Sequence, residues 1–230
     1  MARRLVFLAE LAEQTARFED MAMLMQTVAE EQHWLSSTER CLLSAAFKQL
    51  IGPRRAAVRL VDNPQVLRCE HAVFGAYLAE YRQQLVQDLE DWIHKLLTLL
   101  DDILIPSAND CESLVFYLKM KADYHRHMAP IGQTDDTRQL SRETARQTYL
   151  EAEHLAARLP VTHPVRLGLA LNHAVFFHEL MTDAEAGRRK ARKAFESALL
   201  ELDGIPEDNY KEATLIMQLL RDAAQGPIWE

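Results

Sequence analysis

Apolar residues along this chain recur at steps of three and four, the period of an α-helix with one buried stripe. Leu85, Leu89, Ile93, Leu96 and Leu100 show it most clearly. Breaks in the pattern divide the chain into nine predicted helices. The first two end near Ala16 and Gln32. The third opens at Ser36-Ser37-Thr38-Glu39, where Ser36 and Glu39 have capping-box spacing and each side chain can reach the other's backbone amide. It runs to about Asn63-Pro64, with a kink expected at Gly52-Pro53. The fourth spans about Ala72 to Leu104, the fifth Asp110 to Ala129 and the sixth Thr137 to Leu159. Thr162 is the expected cap of the seventh, with Pro164 tolerated in its first turn, and that helix reaches Met181. Thr182 and Glu185 have capping-box spacing for the eighth, which stops at Asp203-Gly204. The ninth begins near Pro206-Glu207 and stops at Gly226-Pro227. Strand-like alternation and solenoid periodicity are both missing, so an all-α antiparallel array with short connections is expected.

Composition agrees with this pattern and narrows the chemistry. Only seven Gly and eight Pro occur in 230 residues, and Ala, Leu, Glu, Gln and Arg, the strong helix formers, abound. The length allows a substantial core without disulfides or a structural metal. A net charge of -8 argues against broad binding to nucleic acid or insertion at anionic membranes, though it leaves room for a local basic pocket. Cys41, Cys69 and Cys111 have no metal-ligand spacing and suit a reducing compartment. No run approaches the roughly twenty apolar residues of a membrane span, and no signal-like block opens the chain. A cytoplasmic location is the expectation.

Two pairs of cations have spacing that suits phosphate. Lys48 and Arg55 are seven apart on the third helix, and Lys119 and Arg126 repeat the step on the fifth. At about 100° per residue each pair projects from nearly one face. Arginine matches phosphate well, because its planar fork meets two oxygens at once. Most Lys and Arg are solvated surface charges, however, and this spacing is common.

Glu30-x-x-His33, Asp91-x-x-His94 and Glu151-x-x-His154 have the acid–histidine step of di-iron bundles. A di-iron site needs further inward Glu residues facing one cavity, and no such set stands out. His125 and His127 point different ways on a helix and cannot chelate one ion together. Phosphate-loop, nucleophile-elbow and zincin motifs are missing too, so neither a cofactor, a metal nor catalysis is expected.

Longer words in the sequence are more specific. Leu42 to Lys48 read LLSAAFK and Gly52 to Ala57 read GPRRAA, which resembles the 14-3-3 stretch LLSVAYK…GARRSSW. Val115 to Tyr124 read VFYLKMKADY against VFYLKMKGDY, and Thr162 to Asn172 read THPVRLGLALN against THPIRLGLALN. Thr214 to Asp222 read TLIMQLLRD against STLIMQLLRD. These words occur in order and nearly span the chain.

The resemblance to the 14-3-3 family implies one domain over 1–230, with about 1–105 as the dimerisation half and about 106–230 completing an amphipathic groove. It implies a cup-shaped dimer of nine-helix protomers, either a homodimer or a heterodimer with another family member. Each groove would take a segment of a client protein carrying phosphoserine or phosphothreonine. Of the family's four phosphate-binding residues, Lys48, Arg55 and Arg126 match, and His127 stands in place of a tyrosine. The groove would further use Lys119, Asn172, Leu171, Val175 and Glu179, with Leu215, Ile216 and Leu219 on the ninth helix; Gly168 lies on the same face as Asn172. A second family asparagine is replaced by Ala223, and Trp229 falls two residues later than the family's tryptophan. The implied dimer interface packs Leu11, Ala12 and Thr15 against Ala57, Val61 and Tyr81 of the partner, with cross-dimer pairs Arg17–Asp88 and Asp20–Gln84. Because His127 and Ala223 remove two polar groups the family places on the ligand, a second expectation is a dimeric helical scaffold whose peptide binding is weakened or independent of phosphate.

Overall fold

A computed structural model describes residues 2–63, 71–132 and 134–226, with the side chains of 71–73 also left aside. Among the described residues there are nine α-helices and no strand. They are α1 (Ala2–Gln14), α2 (Phe18–Gln32), α3 (Ser37–Val61), α4 (His71–Leu99), α5 (Cys111–Met128), α6 (Asp135–Ala156), α7 (Pro164–Leu180), α8 (Ala184–Leu199) and α9 (Glu207–Gln225). Cys69, Pro64 and Trp229 lie outside the described residues.

The chain forms two compact units, Met1–Ser107 and Ala108–Glu230. In the first, α1 packs on α2, α2 on α3 and α3 on α4. Its core is the apolar stripe of each helix: Met21, Met25 and Val28 of α2, Leu43, Phe47 and Ile51 of α3, and Leu89, Ile93 and Leu96 of α4 are fully buried or nearly so. Each such side chain contributes about 1.5–3 kcal/mol when removed from water. Arg54 ties three of these helices together. It pairs with Glu19 of α2, donates through Nε to Asp88 of α4 at 2.7 Å and through Nη1 to the Leu50 carbonyl at 2.9 Å, and lies 5.8 Å from the Trp92 ring centre.

In the second unit α5 packs on α6 and α7, and α7, α8 and α9 pack on one another. Leu167, Leu171, Ala174, Ala191, Met217 and Leu220 form part of its core. Gly187 is required there: a side chain on it would meet the Ala174 carbonyl oxygen at 2.7 Å. That close approach lets α8 lie tightly on α7.

The ends of the helices follow local chemistry. The Ser36–Glu39 capping box forms as expected, with the Glu39 amide on Ser36 Oγ at 3.3 Å and the Ser36 amide on Glu39 Oε2 at 2.8 Å. Helix α3 continues through Pro53 to Val61. Two expected caps are corrected by one residue. Asp183, not Thr182, caps α8 by accepting the Ala186 amide, because Thr182 adopts a left-handed φ of 50° that no N-cap uses. His163, not Thr162, caps α7, its Nδ1 accepting the Val165 amide, while Thr162 is buried. Helix α6 starts earlier than expected, since Thr134 and Thr137 make a reciprocal cap. Helix α8 ends at Leu199 and a short 3₁₀ turn, Leu202–Gly204, follows it. The end of α4 widens into a π-helical turn over Leu100–Leu104.

Candidate ligand-binding site

Asp123 is the hub of the polar cluster in the second unit. It stands on α5 between Lys119 and Arg126, four residues after one and three before the other, so both cations reach it. Lys119 Nζ lies 3.2 Å from Asp123 Oδ2, and Arg126 Nη2 lies 3.8 Å from Oδ1. Asn172 of α7 donates to Oδ2 at 2.7 Å, and the Tyr149 hydroxyl of α6 donates to Oδ1. Three helices are thereby fastened to one carboxylate.

Arg126 is held from several sides. Its Nε donates to Tyr149 Oη at 3.3 Å and its Nη1 pairs with Glu179 of α7. Burial works against its charge, but the facing Tyr149, Asp123 and Glu179 oxygens outweigh burial and raise its pKa above the ordinary value. The same burial, aided by Asp123 and opposed by Arg126, pushes the Tyr149 phenol well up, so it stays a neutral donor. A guanidinium has five N–H donors, and these bonds use two of them. The arrangement is a fixed, permanently charged fork with donors to spare.

Behind the cluster, His173 is fully buried and stacked between Tyr149 and Phe177, with ring centres 4.8 and 5.0 Å away. Its Nδ1 lies 3.0 Å from Glu153 Oε1 without the alignment of a hydrogen bond. Burial lowers its pKa. Burial also works to raise the Glu153 carboxyl, but His173 and Lys190 prevail and hold it at about 2.

The structure thus brings Arg126, Lys119, Asn172 and Glu179 together. His127 belongs to the same helix, yet its ring packs edge-on against Tyr124 at 5.3 Å. The apolar residues expected along the groove divide. Leu171 and Val175 are buried, Ile216 is half-buried, and Leu215 and Leu219 are exposed on α9. Gly168 lies beside the Lys119 stem, whose Cε would be in ordinary contact, at 3.6 Å, with an added Cβ. Ala223 is buried in the core with Leu220 and Met217. Asp123 and Tyr149 were not expected. The i,i+4 step from Lys119 to Asp123 signals the first, whereas nothing local marks Tyr149, which comes from another helix.

Lys48 and Arg55 belong to the first unit, on α3, where Lys48 is exposed and Arg55 half-buried. Leu11, Ala12, Thr15, Arg17 and Asp20 line one pocket of about 600 Å³ between α1 and α2, together with Leu8, Met23, Leu24 and Thr27. Ala57 and Val61 are half-buried on α3, and Tyr81, Gln84 and Asp88 are exposed along α4 at steps of three and four. Within the protomer Arg17 pairs with Asp20, and Asp88 accepts from Arg54.

A family model described as 14-3-3 protein matches residues 8–229. The chain belongs to the 14-3-3 family. It is 42% identical over 218 residues to 14-3-3 protein homolog 1 of Schistosoma mansoni, covering 95% of this chain and 86% of that one. With human 14-3-3 protein beta/alpha it shares 42% over 219 residues, covering 95% and 89%. With 14-3-3-like protein 2 of Caenorhabditis elegans it shares 44% over 220 residues, covering 95% and 88%. As a 14-3-3 protein the chain is an adaptor that binds client proteins. Among the described residues no helix is long and apolar enough to cross a membrane.

Proposed function

We propose that this 14-3-3 protein recognises clients through a phosphoserine or phosphothreonine, with Arg126 as the anchor of the phosphate. The observation that carries this reading is the Arg126 fork, buried yet charged, fixed by Tyr149, Asp123 and Glu179 with donors left over. A guanidinium so preorganised loses little side-chain freedom when a dianion arrives. By the family resemblance Lys48, Arg55 and His127 serve the same phosphate. Lys119, Asn172 and Glu179 then meet the backbone of an extended segment, and Leu171, Val175, Leu215, Ile216 and Leu219 its apolar side chains. The exposure of Leu215 and Leu219 supports that role, since apolar side chains left in water on a helix otherwise facing a core suit a docking surface.

The same resemblance makes the protein a homodimer in the cytoplasm, able to pair with another family member, with residues of about 1–105 forming the interface and those of about 106–230 completing the groove. The pocket holding Leu11, Ala12, Thr15, Arg17 and Asp20 supports this, as does the apolar character of Ala57, Val61 and Tyr81. Two grooves per dimer would give a doubly phosphorylated client avidity through effective concentration.

Calorimetry with a phosphoserine peptide tests the anchor. Arg126→Ala and Arg55→Ala are each expected to weaken binding by more than about tenfold, the cost of losing charge-assisted hydrogen bonds. Unchanged affinity in Arg126→Ala would remove Arg126 from the site.

A further inference from the structure

Although the chain carries a net charge of -8, five of its cations fall within the six residues 188–193 on α8. The structure sorts them. Arg188 pairs with Glu185, and Arg192 turns toward the Ala224 carbonyl at the end of α9. Arg189, Lys193 and Ser197 follow at steps of four, so they share one face, and Lys190 flanks it. This face lines a cavity of about 430 Å³ between α6, α7 and α8, to which α7 adds Arg166.

The cavity is cationic at its rim and apolar at its floor. Four cations line it, Arg166, Arg189, Lys190 and Lys193, against one carboxylate, Glu153, a surplus of three positive charges. Glu153 already neutralises Lys190. Arg189 is only loosely matched, 3.8 Å from Glu185. Arg166 spends one donor on the Leu159 carbonyl, and neither it nor Lys193 makes an ion pair among the described residues. Leu169 and Ala170 of α7 and Ala194 of α8 form the apolar part.

We propose that this cavity is a second anion site, separate from the Arg126 cluster, which takes a small organic diphosphate. The charge is matched, since a diphosphate ester carries on the order of three negative charges at neutral pH. Arg and Lys at the rim with the Ser197 hydroxyl supply donors to its oxygens, and the apolar floor suits the organic body. The volume lies within the roughly 300–1,000 Å³ of small-molecule pockets. An extended polyanion fits less well, because the rest of the surface is acidic and repels it.

The full chain is titrated by calorimetry at low salt with pyrophosphate, adenosine diphosphate and adenosine as probes. Adenosine diphosphate is expected to bind, pyrophosphate more weakly and adenosine not at all. Arg189→Glu with Lys193→Glu, both on the exposed side of α8, should weaken the diphosphate by at least about tenfold. Glu153→Gln removes the one carboxylate and should tighten it severalfold. The assignment is overturned by no binding of adenosine diphosphate at millimolar concentration. Equal affinity in the double variant, or weaker affinity in Glu153→Gln, would overturn it as well.

Discussion

Tyr149 sets the position of Arg126, the cation proposed to anchor the phosphate. Its hydroxyl bonds both Asp123 and Arg126, and it is wholly buried. Tyr149→Phe leaves Arg126 Nε and one Asp123 oxygen short of a partner. Such an orphaned polar group costs about 1–3 kcal/mol, so the denaturation midpoint should fall with the helical content unchanged. An unaltered midpoint would mean that water replaces the hydroxyl without loss. His127 argues in the other direction. Its ring reaches less far than the hydroxyl of the tyrosine that the family uses at this position. His127→Tyr should therefore tighten phosphopeptide binding by roughly tenfold, one hydrogen bond to a charged group. Equal affinity in calorimetry would show that position 127 does not meet the phosphate. Of these residues, Lys119 and Asn172 were legible because each lies inside a word that resembles the family's, and Arg126 because it stands seven residues after Lys119 on the same helix. Tyr149 was not, since its role arises only when α6 packs across α5.

At the level of the element, helix ends show how far local rules reach. Ser36 and Glu39 satisfy each other within three residues of chain, so spacing alone locates that helix start. Ser36→Ala should cost about 1 kcal/mol in urea denaturation with the m-value unchanged. No loss would mean the cap is redundant with the packing of Leu35, which is buried beside it. The caps of α7 and α8 were placed one residue early. In both cases threonine is a sound cap by residue type, but the backbone decides. Thr182 is forced into the left-handed region and Thr162 is turned inward, leaving the task to Asp183 and His163. The nine described helices, by contrast, were legible throughout, because the apolar period is sustained within each and Pro106, Pro130, Pro160 and Pro206 fall between them.

For the molecule as a whole, the buried titrating groups predict an acid-sensitive fold. His173 has a pKa below its ordinary 6.5 because burial disfavours its charge. Unfolding therefore takes up a proton, and stability begins to fall as pH drops below about 6.5. Glu153, held at about 2, contributes stability that is complete above about 4.5 and is lost as pH falls toward 2. At about 1.4 kcal/mol per pH unit that contribution is on the order of 1–3 kcal/mol. Glu143 is likewise held at about 2 by Arg146 on the surface, so wild type and Glu153→Gln must be compared to isolate the buried group. The variant should lose less stability between pH 5 and pH 3. Parallel curves would show that Glu153 gains nothing from Lys190 and His173.

In the proposed mechanism, the charge on the client's phosphate, read by Arg126, decides binding. Titration of the purified protein at pH 7 with one phosphoserine peptide and its unphosphorylated twin tests it most directly. The account predicts a preference of more than about a hundredfold for the phosphopeptide, since two or more charge-assisted contacts are at stake. Equal affinity for the two would contradict it, and would point to a scaffold in which His127 and Ala223 have ended the dependence on phosphate.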